Sequence, residues 1–269
     1  MIAANQADIG LSGLALSGVL VGVALAISMA RRLGLTRDLI AAALRALVQL
    51  LIVGAALALV IDDNDPLIWT WLWLAAMVAF ASWTVGRRAP EVPGVRLLAL
   101  GAFTAAGAVS LGVLFGLGIF DPTGRAIIPL AGMTVGNSMT GTVLASRRIV
   151  AEARDNRHLI EARLAVGLPG REAFAPHLRE SLRTALVPQI ESTKAVGIIA
   201  LPGAMTGLIL AGVDPVDAVR VQVAVMYLVL GSVATSTSVV ALGLTRGIFT
   251  SDHRLKDLGS EVSGDSHRD

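Results

Sequence analysis

The chain has 269 residues, of which 54% are hydrophobic and only 16% charged, with a formal net charge of +2. Soluble domains are about 45–50% apolar and about 25% charged, so an excess gathered in long runs argues against a soluble core and for membrane spans. Cysteine is absent and the arginines are not interleaved with aromatics, which argues against disulfide or thiolate chemistry and against a nucleic-acid partner.

A span needs roughly 20 mostly apolar residues to cross ~30 Å of hydrocarbon. Seven runs qualify: Ile9 to Ala30, Leu39 to Ile61, Leu67 to Val85, Leu97 to Phe120, Ile127 to Ser146, Ala185 to Ala211 and Val216 to Leu244. The fold class expected is therefore all-α, a polytopic bundle of about seven transmembrane helices. The first run lacks positive charge before it and is too long for a signal peptide, so it reads as a retained helix. The sixth is longer than one simple helix and contains Pro188 and Pro202, so it is expected to be kinked or to begin as an interfacial segment.

Basic residues stay on the cytoplasmic side of a membrane. Arg31, Arg32 and Arg37 follow the first run, and Arg87, Arg88 and Arg96 follow the third. Eight arginines from Arg147 to Arg183 follow the fifth, while the alternate loops are acidic or nearly so. This alternation places the N-terminus outside and the C-terminus in the cytoplasm. Residues 1–250 form the expected transmembrane domain, with a cytoplasmic loop at about 147–184. The stretch 251–269 is polar, has no apolar stripe and reads as a disordered tail.

Small-residue pairs four apart allow helices to pack closely in lipid. Gly18 and Gly22, Gly112 and Gly116, Gly132 and Gly136, and Gly203 and Gly207 have this spacing. Packing within one subunit accounts for such pairs, and a dimer interface is the other reading.

The long loop predicts two helices, at about Asp155 to Leu168 and Arg171 to Leu186, broken by Pro169 and Gly170. A solvated hairpin on the membrane surface is one account. The other is a docking element through which force from a separate ATPase reaches the membrane. Glu161, Ala162 and Gly167 match the start of the EAA-type loop of ABC permeases. The later Ile-x-Leu-Pro part is absent, with His177 to Glu180 in its place.

Ionisable groups inside a bilayer are costly and are functional candidates by default. Arg45 and Gln49 lie in the second run, Met133, Asn137 and Ser138 in the fifth, and Gln189, Glu191 and Lys194 at the start of the sixth, before the Pro202–Gly203 break and Met205. Glu191 and Lys194, three apart, can pair on one helix face. They either sit at the cytoplasmic headgroups, with Lys194 snorkelling, or face a substrate path. On the second reading Glu191, Asn137, Met205, Lys194 and Arg45 line the path. Glu191, Met133 and Met205 are then the candidate metal ligands, because carboxylate suits hard cations and thioether softer ones. The histidines, His158, His177, His253 and His267, fall in cytoplasmic segments and read as solvated. No Walker pattern and no hydrolase motif is present, so no catalytic residue is assigned and ATP with Mg²⁺ must be handled by another chain.

The segments IPLAGMTVGNSMTGTVLASRRI (Ile128 to Ile149) and PQIESTKAVGIIALPGAMTGLILAGVDP (Pro188 to Pro215), with the Glu161 loop, resemble the Fet-type iron-export ABC permeases of bacteria. Plant permeases linked to aluminium tolerance are relatives of that family. The likeness covers nearly the whole chain and is most specific at Leu201 to Gly207 and Ile209 to Pro215. It implies an inner-membrane permease paired with a cytoplasmic ABC ATPase, two copies of each, exporting iron or another metal ion. Plant relatives also associate the family with a nucleotide sugar. A secondary transporter driven by an ion gradient is the competing mechanism, though no internal repeat is evident. A non-transporting scaffold is a further alternative, for which the buried polar groups would have no use.

Overall fold

The structure, a computed structural model, describes residues 11–60, 67–197 and 201–258. Among them the chain forms helices α1 (Leu11–Ala30), α2 (Thr36–Val60), α3 (Ile68–Arg88), α4 (Val95–Gly116), α5 (Gly124–Asp155), α6 (Arg157–Ala165), α7 (Gly170–Ala195), α8 (Gly203–Leu210) and α9 (Pro215–Gly247). A single β bridge joins Phe249 to Leu255.

Among the described residues four helical stretches are long and apolar enough to cross a membrane: Thr36–Ala55, Ile68–Arg88, Val95–Gly116 and Pro215–Gly247. Within the first run the stretch Leu16–Ala30 is apolar but shorter. The fifth run is helical but does not reach that apolarity, because Asn137, Pro129 and several glycine and hydroxyl residues dilute it.

The sixth run is not one helix, and it is not separate from the loop before it. Its first part, Ala185 to Ala195, is the end of α7, which begins at Gly170 and so absorbs the second loop helix expected over Arg171 to Leu186. α7 stops at Ala195, where Val196 turns extended (φ −67°, ψ 138°) and Gly197 adopts φ +91°. A helix resumes at Gly203, directly after Pro202. Proline removes a backbone donor and disfavours helical geometry at the residue before it, which accounts for the restart there.

The chain divides into two compact units. The first comprises Met1–Pro66 and Gly203–Arg220. In it α1 packs on α2 through a turn with Gly34 at φ +72°, and the Ser28 and Thr36 hydroxyls lie 3.4 Å apart. The apolar window of α2 has no buried residue, and Leu50 is 72% exposed, as befits a lipid-facing surface. At the start of α9 the Asp214 carboxylate accepts from the Val216 N–H at 2.9 Å, capping the helix.

The second unit comprises Leu67–Pro202 and Val221–Asp269. α3, α4, α5 and α7 pack side by side with the later part of α9. One apolar cluster joins Val85 of α3, Phe103 of α4, Ile149 of α5, Phe174 of α7 and Leu244 of α9. Another joins Leu111 and Leu114 of α4 to Leu130 of α5 and Val229 of α9. Close approach depends on glycines other than those the spacing singled out. A Cβ on Gly141 would sit 2.9 Å from the Thr237 hydroxyl oxygen, and one on Gly243 would sit 2.5 Å from Leu98. No side chain of this unit lies within 4 Å of a Cβ placed at Gly112, Gly116 or Gly136, whereas Gly132 meets Met77 at 3.3 Å.

Ser251 to Leu258, placed by the sequence in a polar tail, fold back as a small hairpin. Thr250 N–H donates to the Arg254 carbonyl and Lys256 N–H to the Ile248 carbonyl, both at 2.9 Å. Phe249 and Leu255 are buried in the larger cluster, and that burial offsets the cost of ordering the segment. Residues 259–269, the remainder of the expected tail, lie outside the described residues.

Candidate functional site

Two places in the second unit gather the residues that the sequence singles out. The first is its arginine-rich end, where α5, α6, α7 and the hairpin meet. α5 runs past its apolar part to Asp155, supported by an i,i+4 ion pair from Arg148 Nη2 to Glu152 Oε1 at 2.6 Å. α6 carries a second such pair, Arg157 Nε to Glu161 Oε1 at 2.8 Å. It ends in a Schellman turn: Gly167 N–H donates to Leu164 and Leu168 N–H to Arg163, with Gly167 at φ +91°, which favours glycine.

The turn between α6 and α7 projects apolar side chains into solvent, Val166 being 80% exposed. Glu161, Ala162 and Gly167 are all exposed around it. Behind the turn Gly170 is buried, because the Phe249 ring lies 2.8 Å from where its Cβ would be. The Gly170 N–H also donates to His253 Nδ1 at 3.4 Å. Arg154 donates to the Leu258 carbonyl and Arg157 to the Lys256 carbonyl, so the hairpin is pinned by basic side chains. Between α6 and the hairpin lies a groove of about 690 Å³, bounded by Arg157, Glu161 and Gly167 on one side and Asp252, His253 and Arg254 on the other. Paired charges flanking an exposed apolar turn make a surface suited to another protein.

Under this surface α5 and α7 are joined by a buried polar node. Glu152 Oε2 accepts from Asn156 Nδ2 at 2.8 Å and meets His177 Nδ1 at 2.9 Å, while Oε1 holds Arg148. The side chains of Glu152 and His177 are only 10% and 11% exposed. His177 is thus not the solvated residue expected from its place in a polar loop; it faces Glu152 and stacks near Phe174, ring centroids 5.7 Å apart. His158 and His253 are exposed, and His267 lies outside the described residues. Sequence reasoning did not reach Glu152. The i,i+4 series Arg148, Glu152, Asn156 was its one visible signal.

The second place is a cavity of about 210 Å³ between α5, α7 and α9, lined by Asn137, Thr140, Gly141, Pro188, Gln189 and Val233 among others. Pro188 has no N–H, so the Thr184 carbonyl loses its helical donor beside this cavity. Asn137 Nδ2 donates to the Met133 carbonyl at 2.8 Å, leaving its side-chain oxygen as an acceptor. Gln189 Nε2 lies 3.4 Å from the Thr193 hydroxyl. Amide and hydroxyl oxygens of this kind suit hard cations or polar organic groups. No ionisable side chain is in the lining.

The remaining candidates are dispersed. Glu191 and Lys194 pair at 2.8 Å on the outer face of α7, 61% and 66% exposed. Met133 packs against the apolar cluster of Leu130 and Val229 instead of sharing an environment with Glu191. Arg45 and Met205 belong to the first unit, Arg45 exposed and Met205 half-buried. Among the described residues no three His, Asp or Glu side chains converge to hold a metal ion.

Comparison with known proteins is consistent along the chain. Residues 11–249 match the model described as "Uncharacterised protein family (UPF0014)". The chain is 36% identical over 270 residues to "UPF0014 membrane protein STAR2" of Oryza sativa subsp. japonica, covering 96% of this chain and 94% of the relative. It is 32% identical over 251 residues to "Probable iron export permease protein FetB" of Escherichia coli (strain K12), covering 93% and 96%. "Protein ALUMINUM SENSITIVE 3" of Arabidopsis thaliana is 32% identical over 240 residues, covering 88% and 87%. No solved structure matches. With its apolar helices and a match that runs nearly end to end, the chain belongs to the UPF0014 family of membrane proteins.

Proposed function

We propose that this chain is the membrane permease subunit of an ABC transporter that exports a metal ion, iron first among candidates, on energy from a separate ATPase. The observation that carries the reading is the α6–α7 turn: exposed Val166 and Gly167 beside the Arg157–Glu161 pair, above a groove walled by the hairpin. On this reading Glu161, Ala162 and Gly167 seat in the ATPase, and ATP and Mg²⁺ bind there, not here. The name of the Escherichia coli relative supports iron and export.

The proposal takes seven spans, with the arginine-rich end and the C-terminus in the cytoplasm of a bacterial cell and the N-terminus outside the inner membrane. Two permeases and two ATPases form the working unit. The cavity of Asn137 and Gln189 lies on the substrate path, with Glu191 and Lys194 two to five residues further along α7. Arg45, Met133 and Met205, and the Pro202–Gly203 break, stay candidates for that path. The uncharged lining of the cavity favours a second substrate reading, a polar organic molecule in place of a bare cation.

The test is ATP hydrolysis by the partner ATPase co-reconstituted with this chain in liposomes, with and without ferrous iron. Stimulation that needs this chain and rises with iron is the expected result. Stimulation indifferent to iron sends the substrate to the second reading. Iron transport by the chain without any ATPase would establish a secondary transporter instead.

A further inference from the structure

The Glu152 node is an expensive way to join two helices. Its neighbours Ile149, Ala153, Ala173 and Phe174 are all buried apolar residues, and an apolar contact would hold α5 to α7 equally well. Desolvating a carboxylate is costly, and buried ionic groups are often replaceable by hydrophobic ones without loss of stability. The node is also incompletely satisfied: Arg148 Nε and His177 Nε2 are buried with no hydrogen-bond partner. Such groups are rare in folded proteins and ask for a reason beyond packing.

The donors are unequally placed. Arg148 and Asn156 stand four residues to either side of Glu152, on or at the end of α5. His177 alone reaches across from α7. If α7 moves away, the carboxylate keeps two donors on its own side. Opening the joint therefore never strands a buried charge, which is the property of a latch and not of a permanent staple.

The same helices carry displacement to this point. Arg163 Nη1 of α6 donates to the Ala173 carbonyl in the first turn of α7 at 3.1 Å, and His177 follows one turn later. A push on the exposed α6–α7 turn reaches α5 through His177 and Glu152.

We propose that the Glu152–His177 contact is a releasable latch between α5 and α7, opened when a partner ATPase displaces the α6–α7 turn, and that both residues are positioning residues for coupling. The proposal rests on the ATPase-docking reading above. It adds a two-state element by which docking is converted into movement of a helix that lines the cavity.

The experiment compares H177F, H177Q, E152Q and E161K with the unaltered chain in liposomes carrying its ATPase. Measured are ATPase affinity, KM for ATP, chain-stimulated kcat and melting temperature. H177F and E152Q are expected to keep affinity and KM within twofold and to change stimulated kcat at least fivefold. H177Q, which still donates an N–H to Glu152, recovers more than half of the effect. An apolar pair, E152L with H177F, guards against misfolding, since it leaves no buried charge on Glu152 or His177, and it too should be uncoupled. Unchanged kcat in folded H177F, E152Q and the apolar pair overturns the latch, as does a loss of kcat that merely follows a fall in melting temperature. Loss of stimulation in E161K alone keeps the docking reading and rejects the latch. Absence of stimulation by the unaltered chain rejects both.

Discussion

Two glutamates on neighbouring helices, Glu152 and Glu191, show opposite fates for the same side chain. Glu191 stands out in the sequence because it interrupts an apolar run. In the fold it is mostly exposed and paired with Lys194. Glu152 is inconspicuous among arginines in a polar stretch, yet it is nine-tenths buried and held by three residues. The cost of a charge is set by what surrounds it in three dimensions, and linear context ranks these two in the wrong order.

Substitutions can break this comparison. The largest effect is expected from Glu152→Ala, which takes one carboxylate away from Arg148, Asn156 and the buried His177 at once. Arg148 is 42% exposed and solvent screens its loss, but leaving buried His177 without its partner costs about 1–3 kcal/mol, so a fall in melting temperature in detergent of several degrees should follow. A melt within one degree of the unaltered chain would show that the node does not contribute to stability. Next comes Gly141→Leu, which drives a side chain into Thr237 and Val233 and fills the cavity. Overpacking of this kind costs about 1–3 kcal/mol, and transport should fall with stability only modestly reduced. Undiminished transport would take the cavity off the path.

Gln189→Leu removes an amide from the cavity lining and leaves the helix intact, so stability should hold while substrate transport drops severalfold. Equal transport would leave Asn137 as the cavity's amide in any substrate role. The smallest expected effect on stability is that of Glu191→Ala. An exposed pair three residues apart is worth under about 1 kcal/mol, and the melt should barely shift. A large destabilisation would mean that Glu191 is buried in the working assembly, and the contrast with Glu152 would then collapse. Reduced cation transport at normal stability would instead restore Glu191 to the substrate path.

Much of the helix content was legible in the chain. Apolar runs of span length recur as α1 to α4 and α9, because continuous hydrophobicity is a local property that survives whatever the packing. The interruption near Pro202 was legible for the same reason, since proline acts on its own backbone. The i,i+3 pairing of Glu191 with Lys194 needed only helical geometry.

What the sequence by itself determined, then, is most of the helical content, the apolar runs along it and the clustering of arginines between those runs. Tertiary structure alone decided that α7 runs unbroken from the loop into the sixth run, and that Phe249 and Leu255 anchor a hairpin against α7. It also decided that the glycines at close approach include Gly141, Gly170 and Gly243, and that His177 faces Glu152. Each of these depends on which two helices meet. Periodicity within one helix shows which side chains share a face, but only the partner helix determines whether that face is wet, greasy or charged.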